Sequence, residues 1–340
     1  MSDPLRVGIV GGGAIVQVAH LPTLRKIKDV EVAAICDTDM PKARAIADRF
    51  GVANAFDDMA EMLGYEALDA VVVCTPNHLH ESHILAGLGA GLHVLVEKPL
   101  ATDLKSAEKI VKAAAKADGV LMVGMNHRYR PDAQAVRSFV QSGELGDIAS
   151  VRGSWHVFRP GRAQLGWRQK PELSGGGAIL DLGVSVLDLA FWLAGNPRPA
   201  RVSAALDFGS GSNKVEQSGS AFVVCENGCS IFVDVTWRHV GAGERFGVGV
   251  RGSKGTAAIS PLTVWKDLNG VASDVSPTGA VGRENPFTVS YRAEWAHFLA
   301  VVRGQAPAPS LEEHLTLHRV VDAIYESASK GKDVALPPVL

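Results

Sequence analysis

The run Arg6-Val-Gly-Ile-Val-Gly11 is short and apolar, and it opens a series of three glycines, Gly11 to Gly13. A second apolar run, residues 31–37, closes on Asp37, and the helix-patterned VQVAHLPTLRKI lies between the two. Parallel strands need a crossover connection, so strand, helix, strand in this order predicts a βαβ unit. The glycines fall at the first strand-to-helix turn, where a backbone without Cβ lets a pyrophosphate reach the helix N–H groups. Asp37, 24 residues after Gly13, falls at the end of the second strand. A carboxylate there accepts from an adenosine ribose hydroxyl and repels a 2′-phosphate. Asp39 is the better cap for the next helix, which leaves Asp37 available. The spacing predicts a dinucleotide site built from Gly11, Gly13, Ala14, Ile15 and Asp37, with NAD preferred and NADP the second candidate. Val16 departs from the G-x-G-x-x-G pattern at its third glycine position.

The alternation continues through MPKARAIADRFG, ALDAVVVCTP, ESHILAGLGAG, HVLVEKP and SAEKIVKAAAKADG to VLMVGMN. Successive β-type runs joined by Gly and Asn turns follow, with helices expected at 178–193 and 311–329, the latter opened by Ser310 and Glu313 as a capping box. The fold class is therefore α/β: an N-terminal doubly wound parallel sheet over 1–125, then an α+β domain with a large, mainly antiparallel sheet over 126–340. A chain of 340 residues, 46% hydrophobic, can bury two such cores. Lys and Arg (34) nearly balance Asp and Glu (36), with no like-charge block, so nucleic acid and anionic membranes are poor partners and a small molecule is the better one. Four cysteines are too few for a disulfide framework and read as buried thiols. With no signal-peptide pattern and no apolar run near the length of a membrane span, the expectation is a soluble cytoplasmic protein.

Ligands of open parallel sheets bind at the strands' C-terminal ends. Thr75, Pro76, Asn77 and His80 follow the third buried strand, and Glu97 and Lys98 follow the next. A lysine withdrawn from water gives up its proton more readily, which suits Lys98 to proton transfer with a substrate hydroxyl. His78, His80 and His83 cluster, but no Cys or paired carboxylate joins them at ligand spacing, so no metal site is expected.

The segments CTPNHLH (74–80), VEKPLA (96–101), GWRQKPELSGGGAILDLG (166–183) and YESASKGKDVALP (325–337), with the glycine loop, resemble the glucose-fructose oxidoreductase, inositol dehydrogenase and MocA family. The resemblance implies a Rossmann domain, a nicotinamide cofactor and hydride exchange with a hydroxyl-bearing carbon of a sugar or cyclic polyol, with Lys98 as general acid/base. It places Glu97, His80, Asn126, Trp167 and Arg168 near the cofactor and lets His127, Arg128 and Tyr129 reach substrate. It also implies a homodimer or homotetramer associated through the sheet's open face.

In GGGAILDLGVSVLDL (175–189) the polar side chains Asp181, Ser185 and Asp188 fall at i, i+4 and i+7, one stripe on an otherwise apolar helix. Such a stripe needs internal partners or a wet cleft, and the expectation is that Asp181 and Ser185 face the site while Asp188 is structural. The family carries His where this chain has Ser185, and a serine is not a base by itself at neutral pH. The expected catalytic set is thus Lys98, Asp181 and Ser185, with His127, His156 or Tyr129 as spatial substitutes. A non-catalytic regulator, or an enzyme that recycles its own NAD, are the alternatives.

Overall fold

The computed structural model describes residues 4–65, 67–159, 166–209, 214–279 and 282–337. The chain forms two compact units: Met1–Asn126 with Phe287–Leu311, and His127–Pro286 with Glu312–Leu340.

In the first unit, β1 (Leu5–Val10) leads through a wide helical turn, Val16–His20, into α1 (Leu21–Leu24). β2 (Val30–Cys36), α2 (Met40–Phe50), β3 (Asn54–Phe56), α3 (Met59–Tyr65), β4 (Ala70–Val73), α4 (His80–Gly89), β5 (His93–Glu97), α5 (Leu104–Ala114) and β6 (Leu121–Gly124) follow. The strands form one parallel sheet in the order β3-β2-β1-β4-β5-β6. Every residue of β4 is fully buried, as a strand covered on both faces requires. The core gathers Val7, Ile9, Val16, Ile35, Val72 and Leu95 around Trp295 and Phe298. Those two aromatics sit on a helix, Pro286–Val302, so a late segment of the chain joins the residues up to Asn126 in the first unit.

The second unit holds α6 (Pro131–Gln141), β7 (Ile148–His156), α7 (Pro171–Ser174), a wide turn Ile179–Gly183 and α8 (Val184–Ala194). Then come β8 (Pro199–Asp207), β9 (Ser218–Cys225), β10 (Ser230–Thr236), β11 (Arg245–Gly252), β12 (Gly255–Ile259), β13 (Thr263–Leu268) and β14 (Val271–Asp274). The Pro286–Val302 helix is α9, and α10 (Leu311–Lys330) and β15 (Val334–Ala335) end the described chain. The nine-stranded sheet runs β14-β13-β12-β11-β7-β10-β9-β8-β15 and is antiparallel except where β7 and β10 pair in parallel. α8 covers one face so closely that a Cβ on Gly153 would lie 2.4 Å from Val186 Cγ1. The stretch Pro171–Ala194 is, against expectation, long and apolar enough to cross a membrane by length and composition, but most of it is buried within the protein.

Candidate functional site

Gly11 has φ +97°, and a Cβ on it would lie 2.7 Å from the Cys74 carbonyl oxygen, so the turn itself requires glycine there. A Cβ on Gly13 would meet only that same oxygen, at 3.9 Å. Packing therefore does not explain Gly13; it leaves an open cradle beside the exposed Ala14 and the half-buried Ile15, which fits a dinucleotide backbone. Val16 is fully buried, because the helix starts with the wide turn Val16–His20 rather than with close glycine packing. Asp39 caps α2 by accepting from the Lys42 N–H at 3.1 Å. Asp37 is not left free, however. Its Oδ2 accepts from the Gly12 N–H at 2.7 Å and pairs with Lys42 Nζ at 2.5 Å, and its Oδ1 accepts from the Asp39 N–H at 3.0 Å. Burial would raise the Asp37 pKa, but Lys42 and these N–H groups outweigh it and hold the carboxyl below its ordinary range.

The loops after β4 and β5 carry the other candidates of the first unit. His80 is buried, and its Nδ1 and Nε2 lie 2.7 Å and 3.0 Å from the carbonyl oxygens of Pro99 and Thr75. The ring ties two loops together and is withdrawn from the cofactor contact expected of it. Thr75 Oγ1 lies 3.1 Å from His83 Nδ1, Pro76 is half-buried, and Asn77 is buried in a single turn. Glu97 is also drawn inward. The Trp295 indole N–H donates to His20 Nδ1 at 3.1 Å, which leaves His20 Nε2 to donate to Glu97 Oε1 at 3.0 Å. Tyr291 Oη donates to the same oxygen at 2.9 Å, and the Lys98 N–H to Glu97 Oε2 at 3.3 Å. This network fixes the backbone that presents the half-buried Lys98. Asn126 is buried and donates to Ser290 Oγ at 3.1 Å.

In the second unit both expected carboxylates have internal partners. Asp181 Oδ2 accepts from Trp237 Nε1 at 3.0 Å and pairs with Arg159 Nη1 at 2.7 Å, while Arg168 Nε lies 3.5 Å from Oδ1. The Arg168 guanidinium stacks over Trp167 at 4.6 Å. Asp188 grips Arg128 with two bonds, 2.8 Å and 2.5 Å, and Glu313 takes the third side of the guanidinium at 2.6 Å. Arg128 is thus a buried structural ion rather than the expected substrate contact, and Glu313 bonds Arg128 and Asn196 rather than acting through a capping box. The wide turn Ile179–Gly183 shifts the helix phase, so Asp181 and Asp188 face different partners instead of forming one stripe. Ser185 is buried within α8. His156 is corrected as well. It alternates with the inward Val151 and Gly153, so it points from the sheet's open face, away from α8, and bonds Asp234 at 2.7 Å. His127 stacks on Phe246 with centroids 4.5 Å apart, and Tyr129 is half-buried on the same short segment.

Sequence reasoning missed His20, Tyr291, Trp295, Trp237, Arg159 and Glu216. Glu216 Oε1 accepts from the N–H groups of Gly177 and Ile179, each at 2.9 Å, and from Tyr325 Oη at 2.9 Å, so a carboxylate from a distant loop caps the helix that bears Asp181. Only His20 carried a local signal, a polar residue one turn after Val16 on the inward side of the first helix.

A glycine cradle at the end of β1, an acid at the end of β2 and a lysine at the end of β5, on a doubly wound parallel sheet, define a dinucleotide-binding oxidoreductase fold. Residues 5–125 match the oxidoreductase family with NAD-binding Rossmann fold, GFO_IDH_MocA, and residues 133–258 match its C-terminal domain. The chain belongs to the GFO/IDH/MocA family of oxidoreductases. It is 30% identical to D-glucoside 3-dehydrogenase of Escherichia coli K12, covering 98% of each chain. It is 30% identical to D-xylose 1-dehydrogenase (NADP(+)) 2 of Haloferax volcanii, covering 97% of this chain and 99% of that protein. Among solved structures, GenD2 from gentamicin A biosynthesis, in complex with NAD, superposes with a TM-score of 0.85 at 26% identity over 99% of this chain and 98% of that one.

Proposed function

We propose that this protein is a nicotinamide-dependent dehydrogenase that oxidises a CH–OH group of a sugar or cyclic polyol, or reduces the corresponding carbonyl. The observation that carries this reading is Lys98, held at the end of β5 by the Glu97 network on the same unit as the glycine cradle. The relatives named as sugar dehydrogenases support the substrate class. Gly11, Gly13 and Asp37 would hold the cofactor, which when bound accepts or returns a hydride. Lys98 exchanges a proton with the substrate hydroxyl oxygen. Ser185 is buried and not basic, and His156 is paired with Asp234, so neither competes with Lys98 for that role. Asp181 is engaged within the second unit by two arginines and an indole N–H, so it is not the group that takes the proton. The relative named for NADP(+) and the neighbour complexed with NAD support either cofactor. The cytoplasmic location expected from the sequence and the homo-oligomer implied by the family resemblance belong to the same proposal.

The test is nicotinamide reduction, followed by absorbance, with a panel of aldoses, glycosides, inositols and sugar acids. Turnover by the wild type, at least a hundredfold lower in Lys98→Met while NADH binding is unchanged, is the expected result. Binding of NADH without turnover on any compound would favour a cofactor- and sugar-binding regulator, with Ser185 as its signature.

A further inference from the structure

The second unit gathers more positive charge around Asp181 than one carboxylate can neutralise. Past β7 the chain keeps pairing with the segment after β10: the Val157 N–H donates to the Thr236 carbonyl and the Arg159 N–H to the Trp237 carbonyl, each at 2.9 Å. Arg159 is therefore fixed at its backbone, and its guanidinium lies 5.6 Å from the centre of the Trp237 ring before it reaches Asp181 Oδ2. Trp237 is buried, and its indole N–H donates to the same oxygen. That pair would suffice to satisfy the acid, yet Arg168 stands at the other oxygen, held over Trp167. The Arg168 Nε–H is buried and makes no hydrogen bond among the described residues, and a charged donor withdrawn from water without an acceptor is costly. Among the described residues neither arginine has a second acid partner, so one positive charge is unmatched. Access follows the same sense: the Asp181 side chain is 12% exposed, those of Arg159 and Arg168 30% and 38%. An incoming molecule meets the cations before it meets the carboxylate.

We propose that Arg159 and Arg168 form a carboxylate subsite, so that the substrate is a polyhydroxy acid, of the aldonic or uronic class, rather than a neutral sugar. Arg159, whose planar fork gives one edge to Asp181, offers its remaining N–H groups to the substrate carboxylate, and Arg168 supplies its unpaired N–H. One unmatched positive charge suits the single charge of a carboxylate. A phosphate monoester carries ~1.5–2 negative charges at neutral pH and would leave an excess beside Asp181. The carboxylate is an anchor and does not react: on oxidation the hydroxyl-bearing carbon still gives its hydride to the nicotinamide and the hydroxyl its proton to Lys98. This deepens the proposed function, since it rests on the chain being a dehydrogenase of hydroxylated small molecules.

The test is calorimetric binding, to the full chain saturated with NADH or NADPH, of D-gluconate, D-glucuronate and D-galacturonate against the matched neutral compounds D-glucitol, D-glucose and D-galactose, and against D-glucose 6-phosphate. At least one acid should bind about tenfold or more tighter than its neutral counterpart and than the phosphate, as a charge-assisted forked contact allows. Arg159→Met, which keeps the stem and removes the charge, should bring that ratio close to one. Arg159→Lys should keep part of it, because the charge remains and the fork is lost. The preference should also shrink with added salt, as expected of partly exposed charges. Circular dichroism checks that each variant is folded, and Arg168→Met carries the same comparison if Arg159→Met is not. Acids that bind no tighter than the neutral compounds, a phosphate that binds tighter than every acid, or a ratio unchanged in both methionine variants overturns the carboxylate subsite and leaves the dehydrogenase reading standing. A folded wild type that binds neither NADH nor NADPH overturns both.

Discussion

Glu97 and Glu294 are buried carboxyls of the first unit, and their surroundings push them in opposite directions. For Glu97, burial favours the neutral acid, but hydrogen bonds from His20 and Tyr291 and the nearby Lys98 charge outweigh it and hold the pKa below its ordinary value. Glu294 is fully buried, neither carboxyl oxygen has a hydrogen-bond partner among the described residues, and burial followed by the Glu97 charge pushes its pKa far above 4.5. The signs for folding are opposite. Glu97 stabilises the fold above its ordinary pKa, and that contribution is lost as pH falls through the lower folded value. Glu294 must stay protonated in the fold while the unfolded chain releases its proton above 4.5, so stability declines as pH rises from there toward the raised folded value. Glu294→Gln removes this proton linkage. Urea unfolding between pH 5 and 8 should show the variant gaining on the wild type by up to about 1.4 kcal/mol per pH unit. A pH-independent difference would mean that Glu294 is ionised in the fold. Nothing around Glu294 in the sequence announces this, because its neighbours Tyr291 and Trp295 are aimed by packing against residues far upstream.

At the scale of elements, local chemistry was legible wherever it acted within one turn. Asp39 caps α2 at the expected place by accepting from the Lys42 N–H, and Gly51, at φ 73°, ends the helix. The glycine loop and the buried strand β4 follow the pattern as well, and Asn227 and Gly228 form the turn that joins antiparallel β9 and β10. The helix bearing Asp181 does not, because its regularity is broken by a wide turn that no periodicity encodes and its start is capped from elsewhere. A Cβ on Gly177 would lie 2.0 Å from the Glu216 backbone oxygen, and the Gly177 carbonyl accepts from the Asp181 N–H at 2.9 Å. Gly177→Ala must therefore displace backbone that positions Asp181. A loss of about 1–3 kcal/mol is expected from this overpacking. Thermal unfolding should register it as a lower midpoint, by roughly 2–4 °C per kcal/mol. An unchanged midpoint would show that the 215–217 segment yields freely.

For the whole molecule, the open face of the nine-stranded sheet matters most. Phe222 and Phe232 are cross-strand partners on that face, 42% and 38% exposed, and Trp265 is 43% exposed on β13. Large aromatics grouped on a sheet face are costly to leave in water. Light scattering should give a dimer or larger, and Phe222→Lys with Phe232→Lys should shift it to monomer with the parallel sheet intact by circular dichroism. A wild-type monomer would remove the family expectation. The sequence alone determined the class of both sheets, the glycine turn after β1 and the place of Lys98 at the end of β5, because each depends on side-chain period or on residues within one strand-to-helix turn. Tertiary structure decided the partners. The bonds from Trp295 to His20, from Tyr291 to Glu97 and from Arg128 to Asp188 span 275, 194 and 60 positions. A buried charge or polar ring must find a partner when water is withdrawn, and only the folded chain brings those groups within 3 Å or so of one another.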